Sequence, residues 1–369
     1  MKKTKIVISG YYGFGNAGDE AMLTAILESL YNEDPALEIV VISGNPQRTS
    51  YIHGVKAIPR LHLPLIWNAL RRCDLLISGG GSLLQDVTSK RSLYYYLGIM
   101  KMAHWLGKKV FLYAQGIGPL TRSHARMTVA KVLNQCDYIT VRDQKSAIIL
   151  RELGITKTPI AVTADAVLSM RPVDLGIGRS LLAKYNVDGI TPKIGMYVRN
   201  WWNDSHYKSV LAETADRLIR EYGYKVVFIP MQVPDDIAAA LDIKERMIET
   251  PHILKESYTT AEMMSITGNM DMIIGVRLHA LVFAAVMQVP LVGISYDPKV
   301  DSFLQMIGEQ PLGDLQHIMA DDLIAGVQRK INSKNTMRSV WQKMTALRNQ
   351  SERTAALALE LCEQGGCHD

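Results

Sequence analysis

Lys5-Ile6-Val7-Ile8-Ser9-Gly10-Tyr11-Tyr12-Gly13-Phe14-Gly15-Asn16-Ala17-Gly18-Asp19-Glu20 is an apolar run of strand length that ends in a glycine-rich turn and opens onto a helical segment. Strand, tight turn and helix in that order form the repeating unit of a parallel sheet with crossover helices. The same rhythm continues outward. Strands are predicted at Leu37–Ser43, Asp74–Ser78, Lys109–Ala114, Tyr138–Val141 and Ile160–Thr163, with helices at Asp19–Tyr31, Leu93–Leu106, Arg122–Gln135 and Asp143–Leu153. It restarts after Met170-Arg171-Pro172, with strands at Lys193–Val198, Lys225–Ile229, Met272–Ile274 and Leu291–Ser295. Helices at Tyr207–Tyr222, Asp235–Ile248, Thr260–Thr267 and Leu278–Met287 fill the intervals. Thr49–Leu70 shows neither period and is expected as a loop, basic at its edges.

This pattern predicts an α/β protein with two Rossmann-like domains facing across a cleft. The expected domains are 1–172 and 173–335, and 336–369 forms one or two amphipathic helices that return to the first domain. By analogy at the level of fold alone, that arrangement is GT-B-like.

The 369 residues exceed what one core usually supports, and 48% hydrophobic content excludes a disordered chain. With 41 basic against 36 acidic residues, the net charge of +5 suits an anionic substrate or a membrane surface better than a nucleic acid. Cys73, Cys136, Cys362 and Cys367 are too scattered for a disulfide framework, which points to a reducing, cytoplasmic setting. The apolar run near the start is shorter than a signal-peptide core, and nothing approaches a membrane span. Any contact with the membrane is therefore expected to be peripheral.

Ligands of open parallel sheets bind beyond the carboxyl ends of the strands, so the residues just after each strand carry the information. Gly13, Gly15 and Gly18 satisfy G-x-G-x-x-G, whose backbone approaches anions at a helix N-terminus. A dinucleotide is disfavoured, because Ser43-Gly44-Asn45 stands where an acid should hold the ribose. Walker A fails as well, because Asp19 follows Gly18 where lysine is required. Asp19 also has a plainer use, complementing the dipole of its helix. Ser78-Gly79-Gly80-Gly81-Ser82 and Gln115-Gly116-Ile117-Gly118-Pro119 add two more glycine-rich turns, for which tight chain reversal is the competing reading. Gln85 and Asp86 are expected one turn into the next helix, either facing the cleft or capping.

The second half holds the sharpest group, Gly275-Val276-Arg277-Leu278-His279-Ala280, directly after an apolar strand. Leu278, Leu281, Val282, Ala285 and Val286 make an apolar helix face, which puts Arg277 and His279 at the helix start, where backbone N–H groups point outward. Residues two apart diverge on a helix, so both serve one site only if Arg277 still belongs to the turn. The alternatives are a surface ion pair for Arg277 and a backbone-bonded histidine. Lys299, Arg199 and Arg142 each follow a strand in the same way, and together these cations describe an anion-handling rim. Trp201 and Trp202, beside His206, read as stacking aromatics or as plain lining. No metal-ligand spacing and no G-x-S-x-G elbow occurs, so neither metal nor cofactor is expected.

As a set, Gly13–Glu20, Ser78–Gly81, Gln115–Pro119, Val141-Arg142-Asp143 and Arg277-Leu278-His279-Ala280 resemble the polysaccharide pyruvyl transferases, especially the CsaB type that acts on secondary cell-wall polymers. The resemblance runs the length of the chain. It implies phosphoenolpyruvate as donor and, as acceptor, an undecaprenyl-linked saccharide carrying N-acetylmannosamine, reached from the inner membrane face. It also implies catalysis by His279 and Arg277, with Lys299 as the lysine. Donor contacts are expected from Arg277, Leu278, Arg199, Lys299, Gly15 and Asn16. Acceptor contacts are expected from Gly80, Gly81, Asp86, Asp19 and Arg142. Two other readings stay open: a GT-B glycosyltransferase using a nucleotide sugar, and a non-catalytic sugar- or anion-binding protein. Self-association is compatible with all three.

Overall fold

The structure, a computed structural model, describes residues 3–87, 89–200, 205–332 and 334–363, without the side chains of Lys90, Asn332 and residues 334–337. The chain divides into two compact units. The first comprises Met1–Phe14, Asp19–Met170 and Leu347–Asp369, and the second comprises Gly15–Gly18 with Arg171–Ala346.

In the first unit the strands are β1 (Lys5–Ser9), β2 (Glu38–Ser43), β3 (Lys56–Pro59), β4 (Leu75–Ser78), β5 (Gly81–Leu84), β6 (Lys109–Ile117), β7 (Tyr138–Val141) and β8 (Ile160–Val162). All pairings are parallel, in the order β3-β2-β1-β4-β6-β7-β8, with β5 joined to the outer half of β6. Between them run α1 (Ala17–Glu33), α2 (Pro46–His53), α3 (Leu63–Arg72), α4 (Lys90–Trp105), α5 (Ser123–Leu133) and α6 (Gln144–Glu152). One core cluster joins Val7, Leu76, Val110, Leu112 and Ile139 of the sheet to Ile66, Leu70, Leu97, Val129 and Leu150 of the helices. Central strands covered on both faces need apolar residues at every position, which is why β1 and β4 read as continuous runs.

The second unit repeats the plan with β9 (Lys193–Tyr197), β10 (Lys225–Phe228), β11 (His252–Ile253), β12 (Met272–Gly275) and β13 (Leu291–Gly293), in the order β11-β10-β9-β12-β13. Its helices are α7 (Leu175–Ala183), α8 (Ser205–Arg220), α9 (Asp235–Lys244), α10 (Thr260–Gly268), α11 (Leu278–Val286), α12 (Pro298–Ile307) and α13 (Ala320–Asn332). Each sheet reverses its direction of strand addition once, between β1 and β4 in the first unit and between β9 and β12 in the second. At such a switch point the two crossovers diverge and leave a crevice beyond the strand ends.

Two expectations need correction. Thr49–Leu70 is not a loop: it holds the end of α2, β3 and most of α3. The signals are local, because Asn45 caps α2 ahead of Pro46, Gly54 ends it in the left-handed region, and His62 caps α3 ahead of Pro64. Gly81–Leu84 is a strand rather than a turn into a helix, because β6 is longer than expected and its outer half offers a free edge. The C-terminal segment is one helix, α14 (Lys334–Glu363). From Leu347 onward it belongs to the first unit, where the Ser351 hydroxyl donates to the Asp165 carbonyl at 3.0 Å and Thr354, Ala355 and Ala358 are fully buried. Among the described residues no helix is long and apolar enough to cross a membrane.

Candidate functional site

In the second unit β12 ends at Gly275 and α11 begins at Leu278. Arg277 occupies the capping position with extended backbone, φ −94° and ψ 129°. It therefore belongs to the turn, and its side chain is free of the helical period that would separate it from His279. What aims it is Asp236, in the first turn of α9. One Asp236 oxygen accepts the N–H groups of Met231 and Gln232, both at 3.0 Å, and the other pairs with the Arg277 guanidinium. Asp236 is 1% exposed, so this is a buried carboxylate with backbone donors and a cation on its two oxygens. The Arg277 Nε is also buried and has no hydrogen-bond partner among the described residues.

His279 lies against Gly18. A Cβ at Gly18 would overlap the imidazole at Nδ1, so only glycine fits there. Gly15–Gly18 is held in the second unit by an Ala17 N–H donating to the Met231 carbonyl at 2.9 Å and by an antiparallel bridge between Asn16 and Gln232. The Asn16 side chain accepts the Gly18 N–H at 3.0 Å. Three segments thus meet at one place: the Gly15–Gly18 tip, the end of β10 with the start of α9, and the β12–α11 junction.

Next along the same rim are the ends of β9 and β13. Arg199 donates to the Tyr296 hydroxyl at 3.1 Å and lies 5.1 Å from that ring's centroid. Lys299 Nζ stands 5.9 Å from the same centroid and pairs with Asp297 at 3.1 Å. Asp297 also caps α12 by accepting the Lys299 N–H at 3.0 Å, ahead of Pro298. Arg199, Arg277, His279 and Lys299 therefore all leave strand ends next to the β9/β12 switch point, as their positions after strands predict. Leu278 is different: its side chain is buried in the core, leaving its backbone as the part near the turn.

The first unit has its own rim at the β1/β4 switch point. Ser78–Gly81 leaves almost no volume for side chains: a Cβ on Gly79 would overlap the Tyr12 hydroxyl, and one on Gly80 would crowd Met22. Gly81 has φ +88°, and a Cβ there would come within 3.5 Å of an Asp19 carboxylate oxygen, so Asp19, Gly80 and Gly81 share this rim. Below it Gln115 Nε2 donates to the Ser78 hydroxyl at 2.8 Å, while its Oε1 is buried without a partner among the described residues. The preceding Ala114 takes φ +46°, a left-handed conformation costly for alanine, at a register shift between β6 and β7. That irregularity redirects Gln115 towards the glycines.

Two expected acceptor contacts are instead committed inside the fold. Arg142 is 5% exposed, paired with Asp165 at 2.9 Å and donating to the Ser82 hydroxyl at 3.1 Å, with its guanidinium pressed on Gly116. Asp86 accepts the Thr121 N–H at 2.8 Å, the Thr121 hydroxyl at 3.1 Å and the Arg122 N–H at 2.9 Å. Burial alone would raise its pKa, but these donors prevail and hold the carboxyl below its ordinary value. Both residues position the glycine-rich turns. Trp201–Asp204 lie outside the described residues, and His206 Nε2 contacts the Ile318 carbonyl at 3.1 Å. Asp236 and Tyr296 escaped the sequence reading. An acid in a helix's first turn after proline looks like a dipole partner, and its tie to Arg277 spans 41 positions.

The pattern of one protein family, described as polysaccharide pyruvyl transferase, matches residues 16–298. The amylovoran biosynthesis protein AmsJ of Erwinia amylovora is 22% identical over 88% of this chain and 91% of its own. Among solved structures, the UDP-GlcNAc 2-epimerase of Methanocaldococcus jannaschii superposes with a TM-score of 0.70 at 13% identity, covering 97% of this chain and 100% of its own. A putative UDP-N-acetylglucosamine 2-epimerase from Listeria monocytogenes gives 0.68 at 11% identity, covering 100% and 98%. A glycosyltransferase from Rickettsia africae gives 0.64 at 14%, covering 99% of each. At these identities the likeness concerns the fold, which is GT-B-type with two Rossmann-like units.

Proposed function

Because the chain belongs to the polysaccharide pyruvyl transferase family, we propose that it moves a pyruvyl group from phosphoenolpyruvate to an N-acetylmannosamine residue of a lipid-linked cell-wall precursor, at the cytoplasmic face of the membrane. The product is a ketal and the by-product is phosphate. The observation that carries this reading is the β12–α11 junction, where Asp236 holds Arg277 in the turn beside His279. A donor bearing both phosphate and carboxylate needs several cations near one proton-transfer group, and the second unit carries Arg277, Arg199 and Lys299 just past strand ends on the rim where His279 begins its helix. The family's description supports a polysaccharide product, and the Erwinia relative is named for the biosynthesis of amylovoran.

In this scheme His279 protonates the methylene carbon of phosphoenolpyruvate, and positive charge develops at carbon two. A sugar hydroxyl adds to that carbon and gives up its proton. The bond from carbon two to the phosphate oxygen then breaks, phosphate leaves with the electron pair, and a second hydroxyl closes the ketal as its proton departs. Arg277, Lys299 and the N–H groups at the start of α11, including that of Leu278, neutralise the donor's anionic groups. Asn16 and Gly15 close over the donor. In the first unit, the rim of Gly80, Gly81 and Asp19 presents the sugar, and Arg142 and Asp86 hold that rim in shape.

The test is continuous phosphate release by the full chain with phosphoenolpyruvate, with and without a synthetic β-N-acetylmannosaminyl lipid, beside a UDP-N-acetylglucosamine control. Release that depends on the acceptor is expected. Turnover of the sugar nucleotide alone would replace the donor, and binding without phosphate release would make the protein a non-catalytic one.

A further inference from the structure

Between Ile39 and Cys73 the chain has no aspartate or glutamate, while Arg48, Lys56, Arg60, Arg71 and Arg72 fall within it. Those five residues account for the whole formal charge of +5; the remainder of the chain is balanced. The same stretch carries apolar side chains on the outside of the first unit. Leu61 is 80% exposed, Leu63 55%, Trp67 43% and Leu65 41%. They are not the core face of α3, because Ile66 and Leu70 already fill that role at 0% exposure. Leu63 and Trp67, four apart on α3, form an exposed apolar strip that follows Leu61 and that Arg71 continues one turn on, while Leu65 and Arg72 flank it on another side of the helix.

We propose that Leu61–Arg72 is a docking surface for an anionic phospholipid bilayer. A short interfacial helix binds a membrane by sinking apolar side chains to the headgroup–acyl boundary while cations meet the lipid phosphates, and tryptophan favours that depth. Charge complementarity selects this occupant, since a 35-residue stretch without an acid suits a uniformly negative surface better than a protein face of mixed sign. Its position agrees. Arg60, at the end of β3, lies 5.1 Å from the Phe14 ring centroid and 4.5 Å from that of Tyr95, whose hydroxyl donates to the Arg60 carbonyl at 2.8 Å. The exposed surface is thereby tied to the carboxyl rim of the first unit, beside the Gly10–Phe14 turn. This placement bears on the lipid-linked acceptor proposed above, but vesicle binding is read without turnover and tests the surface by itself.

The experiment is co-sedimentation of the full chain with phosphatidylglycerol vesicles and with phosphatidylcholine vesicles. Binding to the first and little to the second is expected, weakened by high salt. Arg71→Gln and Arg72→Gln should each lower vesicle affinity about fivefold, from the worth of one cation near a charged bilayer. Leu61→Ser and Trp67→Ser should lower it further, and the Trp67→Phe protein should lose the blue shift in emission that vesicles produce in the unmodified chain. Should Trp67→Ser fail to fold, Leu61→Ser at its largely exposed site keeps the comparison. Equal binding by all variants overturns the proposal. So does a lipid-free dimer that Leu61→Ser dissociates, which would assign this face to a second copy of the chain.

Discussion

Arg277 and Asp236 are the residues on which the second unit's site turns. Asp236 keeps the guanidinium in place and satisfies two backbone N–H groups, so its deletion removes three interactions at once. Arg277→Ala should raise the KM for phosphoenolpyruvate by the worth of about 1.5 to 3 kcal/mol and, because it leaves the buried Asp236 carboxylate without its cation, should also lower the urea midpoint. Arg277→Lys should not restore the KM, since an ammonium lacks the fork that bonds Asp236 and a second anion together. Asp236→Ala goes further: it strands a buried cation together with two backbone N–H groups and should cost about 3 to 5 kcal/mol of stability in urea unfolding. Asp236→Asn, which retains an oxygen for Met231 and Gln232 but turns an NH2 toward the guanidinium, should recover only the backbone share of the stability and not the KM. If both Asp236 variants leave KM unchanged, the aspartate does not aim the arginine.

The glycine-rich turns work as elements, by admitting backbone where side chains would intrude. Gly18→Ala tests this most directly. A methyl group there overlaps the His279 imidazole, so the ring must rotate away from its present position. Turnover should fall by about 100-fold, in keeping with the penalty for misplacing a catalytic group by about 1 Å, while circular dichroism stays that of the parent. Retained turnover would remove His279 from proton transfer. Most elements were legible from period alone, because buried parallel strands and amphipathic helices leave strong patterns. Two of the short strands were not. β5 and β11 are four and two residues long and exist because a neighbouring strand offers an edge. At Ala114 a left-handed residue interrupts β6, and alanine announces no such conformation.

At the scale of the molecule, stability should respond to pH through His252, on the edge strand β11 of the second unit. Its Nδ1 donates to the Tyr185 carbonyl at 2.9 Å, and burial, with Lys225 nearby, lowers its pKa below the ordinary 6.5. The unfolded chain then holds more protons than the folded one just below pH 6.5, so stability present above that pH is lost as the pH falls. The urea midpoint should decline from pH 7 to pH 5.5, and His252→Gln should flatten part of that decline. An unchanged slope would assign it to other groups.

Most of the longer strands and helices, the alternation that makes two Rossmann-like units and the cations placed after strands were determined by the sequence itself, because each leaves a pattern within one turn or one strand. Only the tertiary structure decided that Gly15–Gly18 joins the second unit, that Asp236 clamps Arg277, and that Arg142 and Asp86 are spent inside the first unit. The reason is physical: charges and hydrogen bonds between residues tens of positions apart carry no period. Their geometry exists only after the sheets have set which strand ends are neighbours.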